Sequence, residues 1–247
     1  AGEHRDMKRP ACRVLQRLDN MGVGIADNDA ASWGGALDVY DSMVTLDDNL
    51  IQGNTSAGAC GAISVRGGAS FTMPGNRVLD NSAAGEAGGI GVWDNSTATI
   101  VDNWIEGNAA IGEGGGIKIS SSQATIDHNV IYNNTSRDGS GAGICCHYTN
   151  ALITENLIWQ NRATNAHGGG LFCNYASPLV EGNVFYNNSA GGGSGSAVVI
   201  QASSPSLVNN TIVVRPGFVY ANPAVAQIRA WSSSYPLVVN TVIWGVG

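Results

Sequence analysis

Apolar residues alternate with polar ones along this chain in short runs, broken by Gly, Asn, Ser and Asp. A period of two over such short runs predicts β-strands. The runs recur every 26 to 30 residues. Each unit reads Gly-Gly-apolar-x-apolar, a small polar stretch, Thr/Leu-Ile-x-x-Asn-x-Ile, then Gly-Asn. In the first run the inward column is Leu37, Ile63, Ile90, Ile117, Ile144, Leu171 and Val198. Two residues on come Val39, Val65, Val92, Ile119, Cys146, Cys173 and Ile200. A second run supplies Met73, Ile100, Ile126 and Ile153, and a third Ile51, Val78, Ile105 and Ile131.

A unit near 27 residues with Asn in register is the signature of a solenoid. Three strands per unit fit one coil of a right-handed parallel β-helix. The predicted fold is therefore all-β, a single-stranded solenoid of about eight coils. At a stacking distance of about 4.8 Å the rod is roughly 38 Å long. The first Asn column runs Asn49, Asn76, Asn103, Asn129, Asn156, Asn183, Asn210 and, after a slip, Asn240; the second runs from Asn54 to Asn188. These Asn are expected to take the left-handed backbone at a sharp bend and to bond their amides from coil to coil. The ladder also accounts for sequon-like matches such as Asn54-Thr55-Ser56. Gly-Gly pairs permit close approach between coils.

Residues 1–30 lack the pattern. Pro10 to Met21 places Val14, Leu15 and Leu18 on one helical face, which predicts a short amphipathic helix capping the first coil. The β-helix proper is expected over 31–247. The chain stops at Ile243-Trp244-Gly245-Val246-Gly247, inside a third-strand pattern. Either the rod is a fragment or another copy covers that end, and the expectation is a homodimer through the C-terminal coils.

Composition narrows the partners. Charged residues make up 13% of the 247, and the net charge is −7. Five of the 12 basic residues lie in the first 20, so the body is acidic. That argues against nucleic acid. No apolar run is long enough to span a membrane. A Ser-, Thr-, Asn- and Gly-rich surface suits a secreted or cell-surface protein; no secretory signal is visible, so export would mean one already removed. The five cysteines form no small-disulfide framework. Cys146 and Cys173 read as buried small hydrophobes; the alternatives are a disulfide and metal binding at Cys145 and His147. No metal site or cofactor is expected, Ca²⁺ at Asp27-Asn28-Asp29 and Asp47-Asp48-Asn49 aside, and turn chemistry accounts for those acids better.

The repeats resemble the pectin-lyase-like parallel β-helix superfamily, and in particular the Gly-Gly-x-Ile and x-x-Asn repeats of polymorphic outer-membrane protein passengers. Gly88-Gly89-Ile90, Gly115-Gly116-Ile117 and Gly169-Gly170-Leu171 carry the first half; Ile100-Val101-Asp102-Asn103 and Ile126-Asp127-His128-Asn129 carry the second. The resemblance covers about residues 34–247. It implies a fold shared by lyases, hydrolases, adhesins and tailspikes, and a substrate lying across the first sheet. No family catalytic motif is matched.

Outward residues of a solenoid form columns, one member per coil. The first strand gives Asp38, Ser64, Gly91, Lys118, Cys145, Phe172 and Val199, and beside it Tyr40, Arg66, Trp93, Ser120, His147, Asn174 and Gln201. Asp41, Asp94, Tyr148 and Tyr175 come in the next column. A polysaccharide lyase needs a base and a cation facing the uronate carboxylate: Lys118 and His147 are candidates for the base, Tyr148 for the proton donor and Arg66 for the carboxylate partner. A glycoside hydrolase needs two carboxylates, and Asp41 and Asp94 are the candidate pair, at roughly 9.6 Å from the strand spacing. Tyr40, Arg66, Trp93, Asn174 and Tyr175 are the candidate binding residues for an oligosaccharide or polysaccharide. The rival expectation is a non-catalytic surface or adhesion rod. A separate aromatic stripe, Tyr132, Trp159 and Tyr186, suits a subunit interface or a sugar platform.

Overall fold

A computed structural model describes residues 24–192, 195–214 and 227–245. The expected helical cap and Cys12 lie outside these residues. Every strand pairing among the described residues is parallel and joins one repeat to the next, so the chain winds as a solenoid of about eight turns. The first sheet runs from Leu37–Tyr40 to Ile228–Trp231, the second from Met43–Thr45 to Leu237–Val239, and the third from Gly24–Ala26 to Val242–Gly245. A fourth ladder, of two-residue strands from Asp29–Ala30 to Ser189–Ala190, was not in the sequence reading. Strands of two residues are too short to show a period. Gly24–Ala26 and Asp29–Ala30 already pair with the next coil, so the first rungs lie ahead of residue 31.

The inward columns meet as expected. Ile63, Ile90, Ile117, Ile144, Leu171 and Val198 are fully buried, and so are their partners from the second and third sheets. Each full burial of such a side chain is worth about 1.5–3 kcal/mol, so the stacked aliphatics are the main cohesive term. Cys146 and Cys173 lie in register inside this core as free thiols.

The asparagines form two continuous ladders at the corners on either side of the third sheet. Asn76 donates its backbone N–H (2.8 Å) and its Nδ2 (3.2 Å) to Asn103 Oδ1, and Nδ2 also donates to Leu46 O at 2.7 Å. The pattern repeats through Asn129, Asn156, Asn183 and Asn210. In the second ladder Asn28 is the first rung, donating to Asn54 Oδ1 at 2.8 Å. The left-handed residue is not the ladder Asn but the one before it: Asp48, Asp102, His128, Glu155 and Asn209 have positive φ. That residue turns the chain so that the next amide points inward to its neighbours. Asn240 accordingly takes the left-handed place, and Thr241 stands in the ladder with Oγ1 donating to Leu207 O at 3.3 Å.

A glycine-rich loop joins each two-residue strand to the next strand of the first sheet and folds over that sheet's outer face. Close approach explains the glycines: a Cβ on Gly116 would stand 2.7 Å from the Gly143 carbonyl oxygen of the next coil.

Candidate functional site

The loop changes which residues can act. Ser64, Lys118, Cys145, Phe172 and Val199, expected on an open face, are buried beneath it. The next column, at Arg66, Trp93, His147 and Asn174, lies at the loop's edge and is half-buried. The turn column that follows is left-handed at Asp41, Asp94, Tyr148 and Tyr175.

Two patches result. In the first, Arg66 forks onto Asp38, with Nε 3.0 Å from Oδ1 and Nη2 2.7 Å from Oδ2. Its guanidinium lies 4.8 Å from the Tyr40 ring centroid and 5.2 Å from that of Trp33. Trp93 meets Trp33 edge-on at 5.4 Å. The Arg66 fork is thus occupied by Asp38, and a uronate would have to displace that carboxylate. Asp41 and Asp94 stand exposed in equivalent turns two coils apart.

The second patch holds the chemistry. Lys118 is 4% exposed, and its Nζ lies 2.7 Å from Glu86 Oε1 and 2.8 Å from Glu113 Oε2. Both acids come from the covering loops, one coil apart. His147 Nε2 is 3.0 Å from Glu113 Oε2, within ion-pair reach but angled away from a hydrogen bond. Cys145 Sγ is 3.7 Å from the same oxygen. Strand alternation puts Cys145 and His147 on one side of one strand, in register with Lys118 and Ser120. Among the described residues, Glu113, Cys145 and His147 bring one ligand-type atom each within 4.8 Å of one another.

Burial pushes the Glu113 carboxyl up, but His147 and Lys118 bring it from an ordinary 4.5 down to about 2. Because the His147 contact is off-angle, Lys118 is the firmer of these two causes. Burial likewise works against the Lys118 ammonium, yet Cys145, Glu113 and Glu86 raise it above its usual value. Burial holds the Cys145 thiol well above the ordinary thiol range. With that thiol protonated at neutral pH, the two carboxylates are what keep Lys118 charged. Lys118 is thus held as a buried cation between two carboxylates, unlike a lysine poised as a base.

Beside this cluster, Tyr148 and Tyr175 stack at 5.2 Å with 7° between their planes, and each is more than half exposed. With Gln123, Thr149 and Asn150 they line a shallow groove of about 320 Å³. Asn174 is in register with His147 and leaves its buried Oδ1 without a hydrogen-bond partner. The structure thus joins Lys118, His147, Tyr148, Asn174 and Tyr175, and sets Tyr40, Arg66, Trp93, Asp41 and Asp94 apart in earlier coils. The Tyr132–Trp159 stack, at 3.8 Å, lies on the third sheet.

Sequence reading missed Glu86, Glu113 and Trp33. Glu86 and Glu113 stand one repeat apart, flanked by glycine in otherwise uncharged loops, and that spacing was a usable signal. Of the residues in the two acidic turns, Asn28 and Asn49 belong to the ladders, and Asp29 accepts from Thr55 Oγ1 at 2.7 Å.

The model of the right-handed β-helix region matches residues 17–158 and 113–243, which together span most of the chain. The chain belongs to the right-handed β-helix family. No curated protein and no solved structure matches it. The β-helix fold accommodates carbohydrate-active and adhesin-type proteins alike. No helix among the described residues is long and apolar enough to cross a membrane.

Proposed function

We propose that this β-helix protein recognises carbohydrate outside the cytoplasm, on the face formed by Tyr148, Tyr175, His147 and Asn174. The observation that carries the reading is the Tyr148–Tyr175 pair. Both tyrosines have φ near +48°, a conformation costly for a bulky residue, in a column where other coils use Asp, Gly, Ser or Ala. They are 60% and 57% exposed, so core packing does not offset that cost. Flat rings with polar tips beside the Gln123 and Asn150 side chains suit the apolar face and hydroxyl edge of a sugar.

Recognition is favoured over turnover because the buried charges are committed. Glu113 is ionised and Lys118 protonated at neutral pH, so the first is no acid and the second no base. His147 is the group on which a lyase reading still rests. The test is a panel of neutral and uronate polysaccharides, scored for binding and, in parallel, for unsaturated uronate and new reducing ends. Binding without either product supports recognition. Unsaturated uronate that disappears in His147→Ala supports the lyase, and silence in all three supports the non-catalytic rod.

A further inference from the structure

We propose that Glu113, Cys145 and His147 bind one divalent transition-metal ion of the zinc class, through carboxylate oxygen, thiolate sulfur and imidazole nitrogen. Glu113 Oε2 lies 3.0 Å from His147 Nε2 and 3.7 Å from Cys145 Sγ, and all three atoms fall within 4.8 Å. Zinc bond lengths of about 2.3 Å to sulfur and 2.0–2.1 Å to nitrogen or oxygen place tetrahedral ligands roughly 3.4–3.6 Å apart. Small side-chain shifts bring the three atoms to that geometry.

The frame around them is rigid. Cys145 and His147 share one strand, hydrogen-bonded on both sides. The Glu113 loop is pinned by Ala87 N–H donating to Glu113 O at 2.9 Å and Gly114 N–H donating to Ser140 O at 3.2 Å.

Two independent observations point to a cation. The first is His147 Nε2, a buried nitrogen with no hydrogen-bond partner, aimed at the Glu113 oxygen. Buried polar atoms normally find a partner, and a metal ion supplies one here. The second is charge. Glu86, whose side chain is 45% exposed, and Glu113 face the single Lys118 ammonium, so the cluster carries one net negative charge. Ligation by Cys145 adds a second, and a divalent ion cancels both. Forming the metal–sulfur bond displaces the thiol proton to solvent, and no electron is transferred. Lys118 keeps its bonds to the two carboxylates and orients Glu113, as outer partners of metal ligands do. Thiolate with imidazole selects zinc or cobalt over calcium or magnesium.

The proposal needs no sugar, and its test uses none. The untagged, reduced full chain is titrated with cobalt(II) chloride alone and then with zinc chloride. The expected result is one equivalent bound, a thiolate-to-cobalt charge-transfer band in the near ultraviolet, visible bands of a tetrahedral site, and loss of both on adding zinc. Cys145→Ser removes the charge-transfer band. His147→Gln, at a partly exposed position that tolerates the change, keeps that band at saturating cobalt and binds at least about tenfold more weakly, since even outer-shell partners are worth that much. Absence of the band in the wild type, its survival in Cys145→Ser, or unchanged affinity in His147→Gln overturns the proposal.

Discussion

The Lys118 ammonium, buried under a glycine-rich loop, lies 2.8 Å from the carboxylate of Glu113, a partly exposed residue of that loop. A strand residue is thereby locked to the loop that covers it. Losing one partner of such a pair strands the other charge in a low-dielectric hollow.

The pair makes stability depend on pH. Folding lowers the Glu113 pKa from 4.5 to about 2, so its contribution is fully present above pH 4.5 and is lost as pH falls through about 2. The shift corresponds to at most roughly 3 kcal/mol, because the off-angle His147 contact contributes less than a full hydrogen bond. Glu113→Gln is expected to lower unfolding free energy by that order at pH 7, and the gap from wild type should close in acid. Urea unfolding across that range checks it; a gap independent of pH contradicts the pairing.

The Asn ladder predicts a cost that a surface Asn would not show. Asn129 Oδ1 accepts from the backbone N–H (2.9 Å) and Nδ2 (3.0 Å) of Asn103, while Asn129 Nδ2 donates to Ile100 O and Asn156 Oδ1. Asn129→Ala leaves several buried groups unpaired, each worth about 1–3 kcal/mol. A loss of about 3 kcal/mol or more is expected in denaturant unfolding, against less than about 0.5 kcal/mol for an exposed amide such as Gln123 changed to Ala.

Gly91 is where the covering loop and Trp93 meet the sheet. A Cβ there would stand within bonding distance of the Trp93 ring and 2.7 Å from Cys60 Sγ. Gly91→Ala is expected to push Trp93 outward and to cost about 1–3 kcal/mol, as overpacking does. Thermal unfolding together with quenching of tryptophan fluorescence by acrylamide reads both effects. An unchanged melting temperature with unchanged quenching counts against this packing.

The fold was legible because period-two strands stacked at a fixed repeat leave apolar columns such as Ile63, Ile90 and Ile117. The buried outer column was not. Lys118, Ser64 and Cys145 look like surface residues, and the loop that covers them is made of Gly, Ala, Ser and Glu, with no hydrophobic signal. The left-handed corner was read onto Asn103 and Asn129, yet it falls on Asp102 and His128. Asn tolerates that backbone, but at these corners its amide is needed inside the ladder. Column spacing alone puts His147, Tyr148 and Tyr175 side by side, as the structure has them. Their partner Glu113 was not legible, because it reaches them from a loop rather than from a strand.

The account turns on the Tyr148–Tyr175 face. Its most direct test is quantitative polysaccharide binding by wild type, Tyr148→Ala and Tyr175→Ala, with circular dichroism to verify folding. Exposed aromatic anchors of this kind are worth about 1–3 kcal/mol each. Each variant is therefore predicted to fold as wild type and to lose roughly tenfold or more in affinity for the glycan that wild type binds. Equal affinity in all three proteins would contradict the account.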